Sequence, residues 1–248
     1  LEAEEISYEC LTLFSAYFGT EYLAAQSAVS SVAALIYMVP FAIGISTSTR
    51  IANFIGAKRI DFAHISAKVG LSFSFIAGIT NCTVLVLSRN FVAGIFSRDE
   101  KVKGLISGIL PVVGFIQNFD SLNAVAGSCL RGQGMQSVGS IVNLVGYYCF
   151  GIPLAMILSW VFDWKLYGLW IGIGCAMLVV GSIESYFVLQ PNWDRILSYA
   201  EKLREQDRDE EEEEYFSDSS DDEGDEHSSS SEEASHRATE HTALLGIV

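Results

Sequence analysis

The residues of this chain with chemistry to offer are carboxylates set in otherwise apolar stretches. Glu9 opens a clean apolar run, Asp120 lies nine residues after Pro111 in another, and Glu184 lies in a third; Glu4 and Glu5 stand about a turn before Glu9. On insertion scales a central Asp in a membrane helix costs roughly 2.5–3.5 kcal/mol, so such groups usually face a cavity and bind something. Spacing sorts them. Glu5 and Glu9 are i,i+4 and share a face with Glu2, whereas Glu4 lies about 140° round the helix from Glu9. Glu2 and Glu5 read as interfacial. Glu184, within two turns of Gln190, reads equally well as a side chain snorkelling to the interface. Glu9 and Asp120 are the hardest to treat as solvated charges. Burial favours the neutral form of a carboxylic acid, so one such group can hold a proton in one state and a cation in another. Competition of two ligands for one negative site is a mechanism for exchange. The neighbouring Tyr8, Phe14, Tyr17, Phe18 and Phe119 offer ring faces to an organic cation, although ordinary helix packing accounts for them more simply.

The elements that position these acids are membrane spans. About 20 largely apolar residues cross roughly 30 Å of hydrocarbon. Five stretches meet that length, approximately 23–48, 62–88, 104–129, 138–161 and 166–190, and a sixth, approximately 3–19, is cut short at Leu1. The connectors are short and hold most of the charges. Residues 1–194 carry 10 Lys/Arg against 12 Asp/Glu; residues 195–248 carry 5 against 18, so nearly all of the net charge of −15 belongs to the tail. The expected fold class is all-α and integral to the membrane: a six-helix transmembrane lobe over 1–194 and a disordered acidic tail over 195–248. Positive-inside bias places the tail in the cytosol, with Arg50, Lys58, Arg59 and Arg131 on the same side. Pro40, Pro111 and Pro153 interrupt spans and suggest kinks. The five cysteines are isolated, with no zinc-like spacing. No nucleophile–base pair, metal cluster or phosphate loop is visible, so neither an enzyme nor a cofactor is expected, and nothing suggests nucleic acid as a partner.

Longer motifs carry a family resemblance. Leu23 to Gly56, LAAQSAVSSVAALIYMVPFAIGISTSTRIANFIG, and Cys129 to Pro153, CLRGQGMQSVGSIVNLVGYYCFGIP, resemble the multidrug and toxic compound extrusion (MATE) transporters, as do YGLWIG from Tyr167 and LQPNW from Leu189. The likeness covers about 190 residues, matches the second half of the family's twelve-helix fold and is closest in composition to fungal members. It implies a secondary transporter that exports organic cations, drugs or metabolites in exchange for protons, with sodium as the other possible coupling ion. Residue by residue, a family pattern in the seventh helix matches Glu4, Tyr8 and Glu9, and the acid of the tenth helix matches Asp120 beside Phe119; Asn143 and Tyr147 of the VN-x-x-GYY stretch are added as cavity-lining candidates. Where some animal relatives have a further glutamate in the eighth helix this chain has Ser31, and Glu5 and Ile6 replace common tryptophans. The reading makes this chain a C-terminal fragment, inactive in transport without a missing N-terminal six-helix lobe. Its partners would be a small organic cation or metabolite and the lipid bilayer. The alternatives are a flippase for lipid-linked precursors and a non-transporting membrane scaffold.

The tail adds two motifs. Ser217, Ser219 and Ser220 precede acidic residues and suit an acid-directed kinase. Glu240 followed by Leu244 and Leu245 resembles an acidic dileucine sorting signal for an adaptor, which favours a vacuolar or lysosome-like membrane over the cell surface.

Overall fold

The computed structural model describes residues 2–191 together with Trp193, Ile196, Ser198, Glu201, Lys202, Glu205, Gln206 and Arg208, with the backbone alone at residues 2–5. The chain divides into a unit of Leu1–Ala200 and a second of Glu201–Val248. In the first unit the described residues are helical throughout their regular structure: α1 Glu2–Ala16, α2 Thr20–Gly56, α3 Ile60–Phe96, α4 Glu100–Gly132, α5 Gln136–Leu144, α6 Ile152–Met156 and α7 Lys165–Leu189. Two π-helical turns, Val145–Gly151 and Ile157–Val161, join α5 to α6 and continue beyond it, so that 136–161 forms one rod.

Five rods are long and apolar enough to cross a membrane: Thr20–Gly56, Ile60–Phe96, Glu100–Gly132, Gln136–Val161 and Lys165–Leu189. They coincide with the five complete stretches read from the sequence. The short sixth stretch differs. Among the residues present α1 is 15 residues long, about 22 Å at 1.5 Å per residue, and the chain turns at 17–19 through Gly19 at φ +120. The rods also outrun their apolar segments. At 37 residues each, α2 and α3 extend about 55 Å, because helix continues past the hydrocarbon into the charged connectors. Pro40 and Pro111 lie inside unbroken helices, whereas Pro153 falls in the first turn of α6, after a π-turn.

A lipid exterior is evident from the side chains. Leu35, Leu87, Phe91 and Ile79 are 62–80% exposed, which water would penalise and hydrocarbon would not. Hydroxyls on these rods turn back onto the preceding turn, as in Ser27 to the Leu23 carbonyl (3.0 Å), Thr80 to Ile76 (2.8 Å) and Ser88 to Val84 (2.6 Å), and so reach lipid already satisfied.

α4 is the central element. It packs against α2, α3 and α7, and its buried positions run from Val102 to Leu130. Contact between α7 and the rod 136–161 depends on small residues. At Gly168 a Cβ would lie 2.7 Å from the backbone of Leu158 and Ser159, and one turn on, at Gly172, it would collide with the backbone of Ala155. Two glycines at i,i+4 thus let the two helices touch along their backbones.

Candidate functional site

α4 carries a polar face through the interior of the lobe. Gln117, Asp120, Ser121, Asn123 and Ser128 are all buried, interleaved with Ile116, Ala124 and Val125. Gln117, Asp120 and Ser121 are spaced i, i+3, i+4 and Ser128 follows two turns on, while Asn123 lies about 60° round from Asp120; they are enclosed because α4 is packed against three other helices. Asp120 is 2% exposed and accepts a hydrogen bond from Gln117 Nε2 at 2.9 Å. One turn on, Asn123 Nδ2 donates to the Tyr147 hydroxyl at 3.0 Å. Tyr147 is fully buried and belongs to the π-turn Val145–Gly151. A π-turn admits one extra residue and rotates those after it, a device often found at functional positions.

A second polar group lies two turns further along α4. Glu184, on α7, is fully buried and accepts from Asn143 Nδ2 at 2.7 Å, and the same amide also donates to the Gly139 carbonyl at 2.9 Å. This corrects the interfacial alternative for Glu184: α4 and α5 close over the side chain, which stays inside the lobe. Gly127 makes room for it, since a Cβ there would stand 3.2 Å from a carboxylate oxygen, whereas at Gly139 the distance of 3.5 Å is ordinary contact. Glu184 and Asn143 head a cavity of about 780 Å³ that is also lined by Arg131, Gln136, Ser140 and Tyr148. A third group joins α7 to α2: Trp170 Nε1 donates to Gln26 Oε1 at 2.8 Å, and Gln26 Nε2 donates to Ser30 at 2.9 Å. Among the described residues the buried charged side chains are Asp120 and Glu184, both acidic.

The remaining candidates are dispersed. Glu9 is exposed on α1, and the side chain of Glu4 lies outside those described. α1 packs on α2, α7, α5 and the π-turn, and no described contact joins Glu9 to Asp120. Tyr8 is half-buried with its ring 5.7 Å from that of Trp170. Phe119, one residue from Asp120, is about 100° away round the helix and lines an apolar recess between α4 and α7 with Phe115, Ile116 and Ile171. Glu240, Leu244 and Leu245, and the serines 217, 219 and 220, lie outside the described residues. Sequence reasoning passed over Gln117, Asn123, Gln26 and Trp170. The signal for the first two was present, in a second amide either side of Asp120 at three-residue spacing. The link from Gln26 to Trp170 spans 144 residues of sequence and left no local trace.

The MatE family model matches residues 3–157. The chain belongs to the MatE family. Among its relatives, Uncharacterized transporter YDR338C of Saccharomyces cerevisiae is 73% identical over 210 residues, covering 85% of this chain and 30% of the yeast protein. Multidrug and toxin extrusion protein 1 of Mus musculus is 30% identical over 195 residues, covering 79% of this chain and 34% of the mouse protein. The crystal structure of the eukaryotic MATE transporter AtDTX14 superposes with a TM-score of 0.74 at 29% identity, covering 81% of this chain and 45% of that one. The chain therefore spans about a third of the length of the curated relatives it matches, and its fold is that of one helical lobe of a MATE transporter.

Proposed function

We propose that this lobe serves a secondary active transporter that exports organic cations, drugs or metabolites in exchange for protons, with Asp120 as a site at which proton and cation compete. The observation that carries the reading is the sign of the buried charge. The described interior holds two carboxylates and no buried Lys or Arg, which suits a cation and disfavours the pyrophosphate of a lipid-linked precursor. Asp120 accepts from Gln117 on its own helix, a neutral amide donor that a carboxyl oxygen can accept from in either protonation state. A neutral Asp120 has little attraction for a cation and an ionised one has much, so the two ligands exclude each other. The name of the mouse relative, a multidrug and toxin extrusion protein, points to the same class of cargo. Glu4 and Glu9 join the site only where a second lobe faces α1; Tyr147 borders the Asp120 face through Asn123, whereas Asn143 holds Glu184, Phe119 faces the apolar recess and Tyr8 packs on Trp170. Sodium in place of the proton would use the same carboxylates. A tail in the cytosol, an adaptor on Leu244 and Leu245, a kinase on the tail serines and a vacuolar membrane complete the proposal.

The test is substrate-driven proton movement in sealed vesicles carrying the chain together with an N-terminal six-helix lobe, with Asp120→Asn alongside. The expected outcome is loss of exchange with normal expression and insertion. Undiminished exchange by Asp120→Asn would remove Asp120 from the mechanism.

A further inference from the structure

Glu184 has no part in the mechanism above, yet its surroundings are those of a working group. It is fully buried on α7, in the lobe interior where an unused charge is costly. Gly127 on α4 keeps the space beside its oxygens open, and it lines a cavity of about 780 Å³. Its donor, Asn143, has a second acceptor in the Gly139 carbonyl. If Glu184 takes a proton its hold on the amide weakens from a charge-assisted to a neutral bond while Asn143 keeps the bond to Gly139, so the link between α5 and α7 can loosen.

Asn143 also stands two residues before the π-turn Val145–Gly151. That turn is tethered on one side to α7, through Asn143 and Glu184, and on the other to α4, through Tyr147 and Asn123. Asn123 is one turn from Asp120 on the same buried face. We propose that Glu184 is a second proton-binding carboxylate of the lobe, a positioning residue that acts on the Asp120 face through Asn143, the π-turn and Tyr147. The inference rests on the proton-exchange reading.

Among the described residues the charges around Glu184 are few. α4 presents Arg131, whose Nη2 donates to Ser128 at 2.6 Å, and Cys129, and the π-turn presents Tyr148. α5, α6 and the second π-turn contain no titratable residue. α1 contributes Ile6 to the cavity, its exposed Glu9 is not among the lining residues, and on α3 His64 stacks near Trp193. Arg131, which lines the cavity, disfavours an organic cation there. The proton, which needs no space and can reach a fully buried oxygen, is the fitting ligand.

The substitution Glu184→Gln keeps the size of the side chain and an oxygen for Asn143 but cannot titrate. The experiment measures kcat and KM for a quaternary ammonium probe against pH in vesicles carrying the chain together with an N-terminal six-helix lobe, for wild type, Glu184→Gln and Asp120→Asn. It is paired with infrared difference spectra of the same proteins titrated with acid. For Glu184→Gln the expected result is retained exchange with KM changed less than twofold, a kcat profile lacking one ionisation, and loss of one carboxylic C=O band. A pH profile and spectrum superimposable on wild type would overturn the proposal, because a purely structural Glu184 would be replaced by Gln without trace. If Asp120→Asn abolishes exchange while Glu184→Gln is indistinguishable from wild type, the proposed function stands and this inference falls. If Asp120→Asn exchanges normally, the proposed function fails, and the positioning role of Glu184 fails with it.

Discussion

The bond between Asn123 and Tyr147 makes the sharpest quantitative prediction, because it links the π-turn to the face that carries Asp120. Both partners are buried, at 4% and 0% exposure, and the donor–acceptor distance is 3.0 Å. Asn123 Oδ1 has no hydrogen-bond partner, so Tyr147→Phe would strip the amide of the one bond described for it. Stranding a buried polar group costs about 1–3 kcal/mol. Interhelical bonds in membrane proteins average about 0.6 kcal/mol with a maximum near 1.7, and the depth of this pair places it in the upper half of that range. Replacing both partners by apolar groups removes both ends of this bond and can be closer to neutral. The cycle of Tyr147→Phe, Asn123→Leu and the double variant should therefore give a coupling of about 1–1.7 kcal/mol, with the double variant less destabilised than the sum of the singles. The assay is reversible unfolding in mixed micelles, and the rate of exchange should fall for Tyr147→Phe through its effect on the neighbouring face. A coupling below about 0.3 kcal/mol, the scatter of additive pairs, would refute the idea that this bond holds the π-turn to α4.

Three further outcomes follow from the packing. Gly172→Ala should destabilise by about 1–3 kcal/mol, since its Cβ meets the Ala155 backbone, while Gly94→Ala, with nothing within 4 Å, should be neutral or gain up to about 1 kcal/mol; paired thermal midpoints in detergent decide this. Trp170→Phe removes the donor to Gln26 Oε1 and should cost about 1–2 kcal/mol, whereas Trp170→Phe combined with Gln26→Leu should recover most of the loss in the same assay. Lys101→Ala breaks a 3.2 Å ion pair with Glu21 in which both side chains are well exposed, so unfolding should change by no more than about 0.5 kcal/mol, and less still at high salt.

Lipid is the solvent that made the fold legible from one dimension. A helix in hydrocarbon must satisfy its own backbone, so five apolar runs of sufficient length had one available form, and their approximate limits could be read from composition. The acids were legible for the same reason, since a carboxylate is conspicuous in an apolar run, and Asp120 stood out before any neighbour was known. Which acids share an environment was not legible. Glu184 looked interfacial because Gln190 is near in sequence, but α4 and α5 cross over it in space. Phe119 looked like a companion of Asp120 because it is adjacent in the chain, but one residue of a helix is 100° of rotation, and it faces an apolar recess instead.

The sequence by itself determined the solvent, the spans, the concentration of charge in the tail and the residues with chemistry to offer, because each depends on local composition. The tertiary structure decided which of those residues are enclosed and what each touches. Asn143 meets Glu184 across 41 residues and Asn123 meets Tyr147 across 24. Contacts of that kind arise where small residues let helices approach and a π-turn shifts the register of one rod. Neither a crossing point nor a rotation is written in the pattern of one helix; both are fixed when several helices pack together.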